Sequence, residues 1–364
     1  MKFVETSDLK RGMRLARPIY NKKGVLLFER DSKLTSLTIE SVKNFGLLGV
    51  YVLDPAEPLP PMSEEDLEFE RFQIATVFSI QDELEKILET KRRSRLDSIA
   101  ATILRKFGHL EDKINFYQNL RSRDDFVCRH SLNTAILCAM ITHVMNVKVD
   151  EQLHTVYAAI LHDIGKLQIP NDILFGRSEE ENLQDRIYVE QMAGLDVLEE
   201  ALMEGPAIKR ICVQALRAQQ ELDSTGSYQA NTKMSLAAKI LLVANRYDEI
   251  TAMNLQGHAE SEVKAIQEFY QYPELYDPAV VEGLVHCVNI LFPGVSVELS
   301  TGEKALVLTE NPNDILKPVL LTFGDNTILD LSTSENKDIQ VVDILKTLDN
   351  RYVMKDALGD HSES

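Results

Sequence analysis

Cysteine is scarce in this chain, and the few copies are far apart. Cys128, Cys138, Cys212 and Cys287 are the four in 364 residues, and none falls in a C-x-x-C pair. That spacing excludes a zinc knuckle and a disulfide framework, leaving reduced, mostly buried thiols as the expectation. Long hydrophobic runs are missing too: no apolar stretch approaches the roughly 20 residues of a membrane-spanning helix. The first residues, "MKFVETSDLKRG", lack the positive-then-apolar pattern of a secretion signal, so the cytoplasm is the expected location and no membrane is an expected partner. Positive charge is short as well. Lys and Arg number 39 against 57 Asp and Glu, a formal net charge of −18, and the basic run "KRRSR" at 91–95 is flanked by acidic residues. Such a chain repels a phosphate backbone, which excludes DNA as an expected partner. The charge otherwise reads as solvated helix faces. No repeat with a period of roughly 20 to 50 residues is visible, which excludes a solenoid.

What is present is core material and two kinds of periodicity. Hydrophobic residues make up 44% of the chain, enough for two or three domains. Residues 1–53 alternate short β-type runs with turn signals such as "NKKG", around a helical segment "LTSLTIESVKNFG" with a Thr cap and a closing Gly. This predicts a small α+β module. The stretch 54–66, "DPAEPLPPMSEED", is proline-rich and acidic and reads as a stiff linker. From 67 to 291 apolar residues recur at three-and-four spacing, predicting a helical bundle; "SLNTAILCAMITHVM" and "MSLAAKILLVANRYDEI" are apolar enough to be central helices. Over 292–354 the runs "VSVELSTGEKALVL", "KPVLLTF" and "DIQVVDIL" predict a small, mostly antiparallel β-rich module, followed by a disordered tail over 355–364. The fold class expected is therefore mainly α, with a small module at each end.

Chemistry concentrates at "AAILHDIGKLQIPNDIL", 158–174. A His-Asp dipeptide alone is weak evidence, since about half a copy arises by chance in a chain of this composition. Here His162 and Asp163 occupy the last turn of an apolar helix, with Gly165 where a helix stops. The plain structural reading is a His beside a helix dipole and an N-capping Asp. The functional reading needs partners, and "FVCRHSLNTAILCAMITHVM" supplies one by placing His130 at the start of another apolar helix. Two imidazoles and a carboxylate suit iron, manganese or zinc. Lys166 and Arg129 are candidates for holding a phosphate. His109, His143, His154, His258, His286 and His361 fit no ligand pattern and read as ordinary histidines.

The strings "RHSLNTA" at 129–135, "LHDIGKLQIPNDIL" at 161–174 and "KILLVANRYDEITAM" at 239–253 resemble the HD-GYP family, a branch of the HD superfamily of metal-dependent phosphohydrolases that open cyclic di-GMP. The resemblance covers roughly 120–290 and implies an HD-type helical bundle; the flanking modules also look like segments of some members. It implies His130, His162 and Asp163 as metal ligands, with Asp163 bridging two ions and Lys166 neutralising charge in a metal-assisted hydrolysis of the phosphodiester. The chain departs from the family at several ligand positions. Glu190, in "EQMAG", stands where members carry a His; Gln219 and Gln220 best match a paired His; Asn245 replaces the first Asp of V-A-D-x-Y-D; and G-Y-P is gone, with Asp223, Gly226 and Tyr228 as its remnant. Phe126 stands where some members use a Glu for a third metal, and Asp248 matches the family's second Asp.

Carboxamides are neutral and poor donors for transition metals, so a paired-metal site is not expected. The expectation is one weakly held divalent ion on His130, His162 and Asp163, with Glu190 and Asn245 as further candidates, or no ion at all. Functionally, a degenerate signalling module that binds a nucleotide such as cyclic di-GMP, or a partner protein, leads. An active cyclic di-GMP phosphodiesterase comes second, and a scaffold without nucleotide affinity third.

Overall fold

The computed structural model describes residues 2–21, 25–53, 63–116, 121–174, 183–229, 233–252 and 259–345. The expected tail at 355–364, most of the expected linker, and His258 and His361 lie outside them.

The amino-terminal part holds β1 (Lys2–Glu5), β2 (Arg14–Leu15), β3 (Ile19–Tyr20), β4 (Leu26–Phe28), α1 (Ser36–Asn44) and β5 (Gly49–Leu53). β5 is the middle strand of an antiparallel sheet, flanked by β1 and β2, while β3 and β4 pair as a separate ribbon. Thr35 caps α1 by accepting from the Thr38 amide at 3.1 Å. Leu15, Ile19, Leu34, Val42, Val50 and Val52 fill a core of its own. Backbone bonds tie this part to the segment before the next central helix: Leu48 N–H donates to Arg121 O and Arg123 N–H to Gly46 O, both at 3.3 Å.

The helical part comprises α2 (Glu64–Thr90), α3 (Leu96–Phe107), α4 (Phe126–Val144), α5 (Val149–Leu161), α6 (Asn171–Leu174), α7 (Leu183–Gly194), α8 (Val197–Ala201), α9 (Gly205–Thr225), α10 (Leu236–Thr251), α11 (Glu262–Gln271) and α12 (Pro278–Cys287). α4 is buried on nearly every side, which is why its sequence is apolar throughout rather than striped. It packs on α5, α10, α12, α2 and α3, so it is the axis of the bundle. The four cysteines are buried free thiols, and burial pushes Cys128 up to about 12. Among the described residues no helix is long and apolar enough to cross a membrane.

The start of α2 corrects one boundary. Residues 64–66, read as the end of a linker, are its first turn. Ser63 accepts from the Asp66 amide at 3.1 Å while Asp66 accepts from the Ser63 amide at 3.0 Å. This reciprocal cap satisfies two otherwise open donors, so the acidic "SEED" starts a helix instead of extending the proline-rich stretch.

A buried carboxylate joins α2 to α3. Glu83 accepts from the Ser94 amide and hydroxyl, both at 2.6 Å, and from the Arg95 amide at 2.8 Å, capping α3 from a neighbouring helix. Burial works against its charge, but these bonds outweigh it and hold the carboxyl below its ordinary value of 4.5. Glu83→Gln should therefore destabilise by about 1–3 kcal/mol at neutral pH, read by urea denaturation. Because the folded value is depressed, this contribution is present above about 4.5 and is lost as pH falls through the lower folded value. The wild-type and variant curves should converge there.

The carboxy-terminal part is an antiparallel sheet in the order β10-β6-β7-β8-β9, built from β6 (Ser296–Leu299), β7 (Lys304–Thr309), β8 (Val319–Thr322), β9 (Ile328–Asp330) and β10 (Val341–Ile344). Gln267 on α11 donates to Val341 O at 2.9 Å and Lys113 pairs with Glu310 at 2.6 Å, fastening the sheet to the bundle.

Candidate metal centre

Three helices bring the cluster together. α4 carries His130 one turn from its start, α5 ends on Leu161 with His162 as its cap and Asp163 next, and α10 carries Asn245 and Asp248. His130, His162 and Asp163 are buried, and their donor atoms lie within 4.8 Å of one another.

The tautomers follow from the partners. His130 Nδ1 sits 2.6 Å from Asp248 Oδ2, and His162 Nδ1 sits 2.8 Å from Ala159 O. Both partners only accept, so each Nδ1 donates; His162 Nε2 then turns a lone pair inward, and His130 Nε2 does so when that ring is neutral. The two Nε2 atoms are 3.1 Å apart, with Asn245 Oδ1 at 2.9 Å from that of His130. Facing lone pairs repel, and a proton or a metal cation between them removes the repulsion. Asp163 stands 3.5 Å from His162 Nε2 and 3.8 Å from His130 Nε2.

Around this core the charges are held by named partners. Asp248 accepts from His130, from Arg121 at 2.5 Å and, through Oδ1, from Asn133 at 2.8 Å; Gln73 then donates to Asn133 at 2.8 Å. Burial alone would raise the Asp248 carboxyl, but Arg121 and His130 hold it well below the usual range. Burial likewise disfavours a charged His130, and the bond to Asp248 reverses that and raises its value; His162, whose Nδ1 meets a carbonyl and not a carboxylate, is lowered by burial in spite of nearby Asp163. Asp163 accepts from Lys166 at 2.8 Å and from Gln191 at 2.5 Å. Burial opposes charge on both Asp163 and Lys166, yet their attraction wins: the carboxyl is lowered with help from His162, and the ammonium is raised with help from Glu249.

The predicted residues divide. His130, His162, Asp163, Lys166 and Asn245 come together. Glu190 does not: its side chain is exposed, and its neighbour Gln191 reaches Asp163. The reason is backbone contact. α7 lies against the turn that follows Asp163 so closely that a Cβ on Gly194 would fall 2.2 Å from Gly165 Cα, and one on Gly165 would fall 2.5 Å from Gln191 O. Gly165 thus serves a close approach, where the sequence suggested a helix stop; its φ is not positive. Gly194→Ala should force α7 outward, costing about 1–3 kcal/mol in a denaturation experiment, whereas Ala193→Ser on the exposed face should stay within about 0.5 kcal/mol.

Arg129 is also elsewhere. Its Nε donates to Asp125 at 2.6 Å and it lines a cavity at the amino-terminal part. Gln219 and Gln220 are committed to other groups: Gln219 donates to Asp223 at 2.9 Å and accepts from the Tyr276 hydroxyl at 2.9 Å, while Gln220 donates to Asp185 at 2.9 Å. Gln191, Arg121 and Glu249 were not singled out by the sequence, where nothing beyond a polar residue type marks them. Asn245 donates to Glu249 at 3.1 Å, so Glu249 fixes which end of the amide faces the histidines.

The donor set fits one divalent cation. Imidazole nitrogens and an anionic oxygen suit iron, manganese or zinc, and His130 is oriented by a carboxylate behind it in the manner of metal-binding histidines. A second cation does not fit the residues at Gln219 and Gln220, whose amides are neutral and already bonded.

Two comparisons with known proteins find a match. Residues 110–280 match the HD domain family model. Over 346 residues the chain is 25% identical to a cyclic di-GMP phosphodiesterase of Pseudomonas aeruginosa, covering 86% of this chain and 80% of that protein. No solved structure matches the chain. The matched region contains His130, His162 and Asp163, so the chain carries an HD domain, similar to the HD-GYP type but without the G-Y-P motif.

Proposed function

We propose that this chain is a cyclic di-GMP signalling protein whose HD domain keeps one cation site and binds nucleotide or a partner protein without appreciable turnover. The observation that carries the reading is the set of carboxamides at ligand positions, Asn245, Gln219 and Gln220, with the last two engaged by Asp223, Tyr276 and Asp185. His130, His162 and Asp163, with Asn245 beside them, would hold a single divalent cation. When bound, that ion supplies Lewis-acid polarisation of a phosphoryl oxygen. Lys166 keeps Asp163 anionic and oriented, and its side chain, about one-fifth exposed at 21%, provides charge for an approaching phosphate. Asp248 holds His130 in the tautomer that leaves Nε2 free.

A second reading, a working phosphodiesterase, is favoured by the intact His130, His162 and Asp163. Incubation of cyclic di-GMP with the protein and manganese, followed by chromatography of the products, separates the two. Product formation should not exceed that of Asp163→Ala. Turnover that Asp163→Ala abolishes would replace the first reading by the second. Calorimetry with cyclic di-GMP should show binding weakened by Lys166→Ala; absence of any nucleotide binding would leave a scaffold role.

A further inference from the structure

One junction between the amino-terminal part and the helical bundle also reaches the metal centre. Leu47 and Ser122 form an antiparallel bridge, with the Leu48 amide donating to Arg121 O and the Arg123 amide to Gly46 O, both at 3.3 Å. On the amino-terminal side the stretch is anchored, since the Thr6 amide donates to Leu48 O at 3.1 Å. On the bundle side each residue of the strap has a task. The Arg121 side chain is 2% exposed; its guanidinium lies 5.2 Å from the centre of the Phe126 ring and donates to Asp248 Oδ2. That same oxygen accepts the proton of His130 Nδ1. The Ser122 amide donates to Asp125 Oδ1 at 2.7 Å and its hydroxyl accepts from the Asp125 amide at 3.3 Å, bracing the start of α4, the helix that carries His130.

We infer that seating of the amino-terminal part controls the affinity of the cation site: pairing with Gly46–Leu48 fixes the strap Arg121–Arg123, the strap fixes Arg121 on Asp248, and the shared oxygen orients His130. The inference rests on the single-cation reading proposed above. Bonds of 3.3 Å are at the long end of the N–H···O range, and a lone bridge of this kind opens locally while the core stays folded. The strap therefore has two states, seated and open. In the seated state Asp248 Oδ2 receives both Arg121 and His130. In the open state Asn133 still holds Oδ1 at 2.8 Å, so the carboxylate stays, but the direction of Oδ2, and with it of the His130 ring, is loosely set. An imidazole ligand whose outer partner is loosened binds its cation less tightly. Linkage makes the effect mutual: whatever factor seating adds to cation affinity, a bound cation adds to seating.

Hydrogen exchange of the unmodified full chain, read by mass spectrometry in manganese and in chelator, tests the mutual effect. Peptides containing the Leu48 and Arg123 amides should exchange at least about fivefold more slowly in manganese. The Ser300 and Leu345 amides, which close the carboxy-terminal sheet onto Gln340 O at 2.9 Å and Ser296 O at 2.8 Å, should change by less than about twofold. Asp163→Ala should abolish the slowing. In the forward direction Leu48→Pro, which removes the N–H given to Arg121, should weaken manganese binding by at least about fivefold, and Leu48→Ala, which keeps it, by less than about twofold. Manganese uptake without slowing at Leu48 and Arg123, equal slowing in the carboxy-terminal sheet, or an unchanged or tighter affinity in Leu48→Pro would each overturn the coupling and leave the cation site standing. No uptake at all would overturn the cation site and the coupling with it. The exchange comparison needs no variant, so a Leu48→Pro chain that fails to fold leaves the test intact.

Discussion

Titrated with manganese, the protein should take up one cation per chain, and Asp163→Ala should lower its affinity by more than about 100-fold. Asp163 is the anionic member of the cluster, and the two Nε2 atoms, 3.1 Å apart, are already turned toward a common point by Asp248 and Ala159. Removing the carboxylate leaves two neutral nitrogens and the Asn245 oxygen, which do not offset a divalent charge in a buried setting. Asp163→Asn should fail nearly as badly, because the deficit is charge and not shape. Stoichiometry by elemental analysis decides between this arrangement and its rival. Two ions per chain would mean that the carboxamides at 219 and 220, or ligands outside the cluster, serve a second metal, and the proposed function would fall with the single-cation site.

The largest expected loss of stability comes from Asp248→Ala, at about 3–5 kcal/mol. Asp248 is fully buried and receives Arg121, His130 and Asn133 at once. Its removal takes a buried charged acceptor from a guanidinium, an imidazole N–H and an amide at once, which is far more costly than losing an exposed ion pair. Asp248→Asn should lose less, since the amide oxygen still accepts one bond. Both variants should also weaken manganese binding by about 10- to 100-fold, because His130 is no longer held in its inward tautomer. Urea denaturation checks the first effect and metal titration the second. A loss under about 1 kcal/mol for Asp248→Ala would show that the Arg121, His130 and Asn133 bonds are not the support described here.

The pattern of helices was legible in the sequence because burial and periodicity are local properties. The apolar run around Leu132–Ile141 could hardly be anything but a central helix, and α4 is one. The start of α2 was misplaced because composition was weighed over "SEED", while a cap is decided by two side chains meeting across one turn. Glu190 was named because it stands where members of the resembled family carry a His. Packing settled the matter otherwise, since the contact of Gly194 with Gly165 sets the rotation of α7 and presents Gln191 inward. Arg129 precedes His130 by one position, and so leaves the helix about 100° away from it, toward Asp125 and the cavity.

From its residues alone the chain settled which donors exist: imidazoles and a carboxylate at His130, His162 and Asp163, and carboxamides at Gln219, Gln220 and Asn245. Donor type is a property of the side chain and needs no fold to be read. Only the tertiary structure decided which of these donors meet, because His130 and His162 are 32 residues apart and Asp248 a further 86 beyond His162, and their convergence depends on how α4, α5 and α10 pack. Packing also decided what each donor is already bonded to, and a bonded amide, unlike an inward lone pair, has little left to offer a cation.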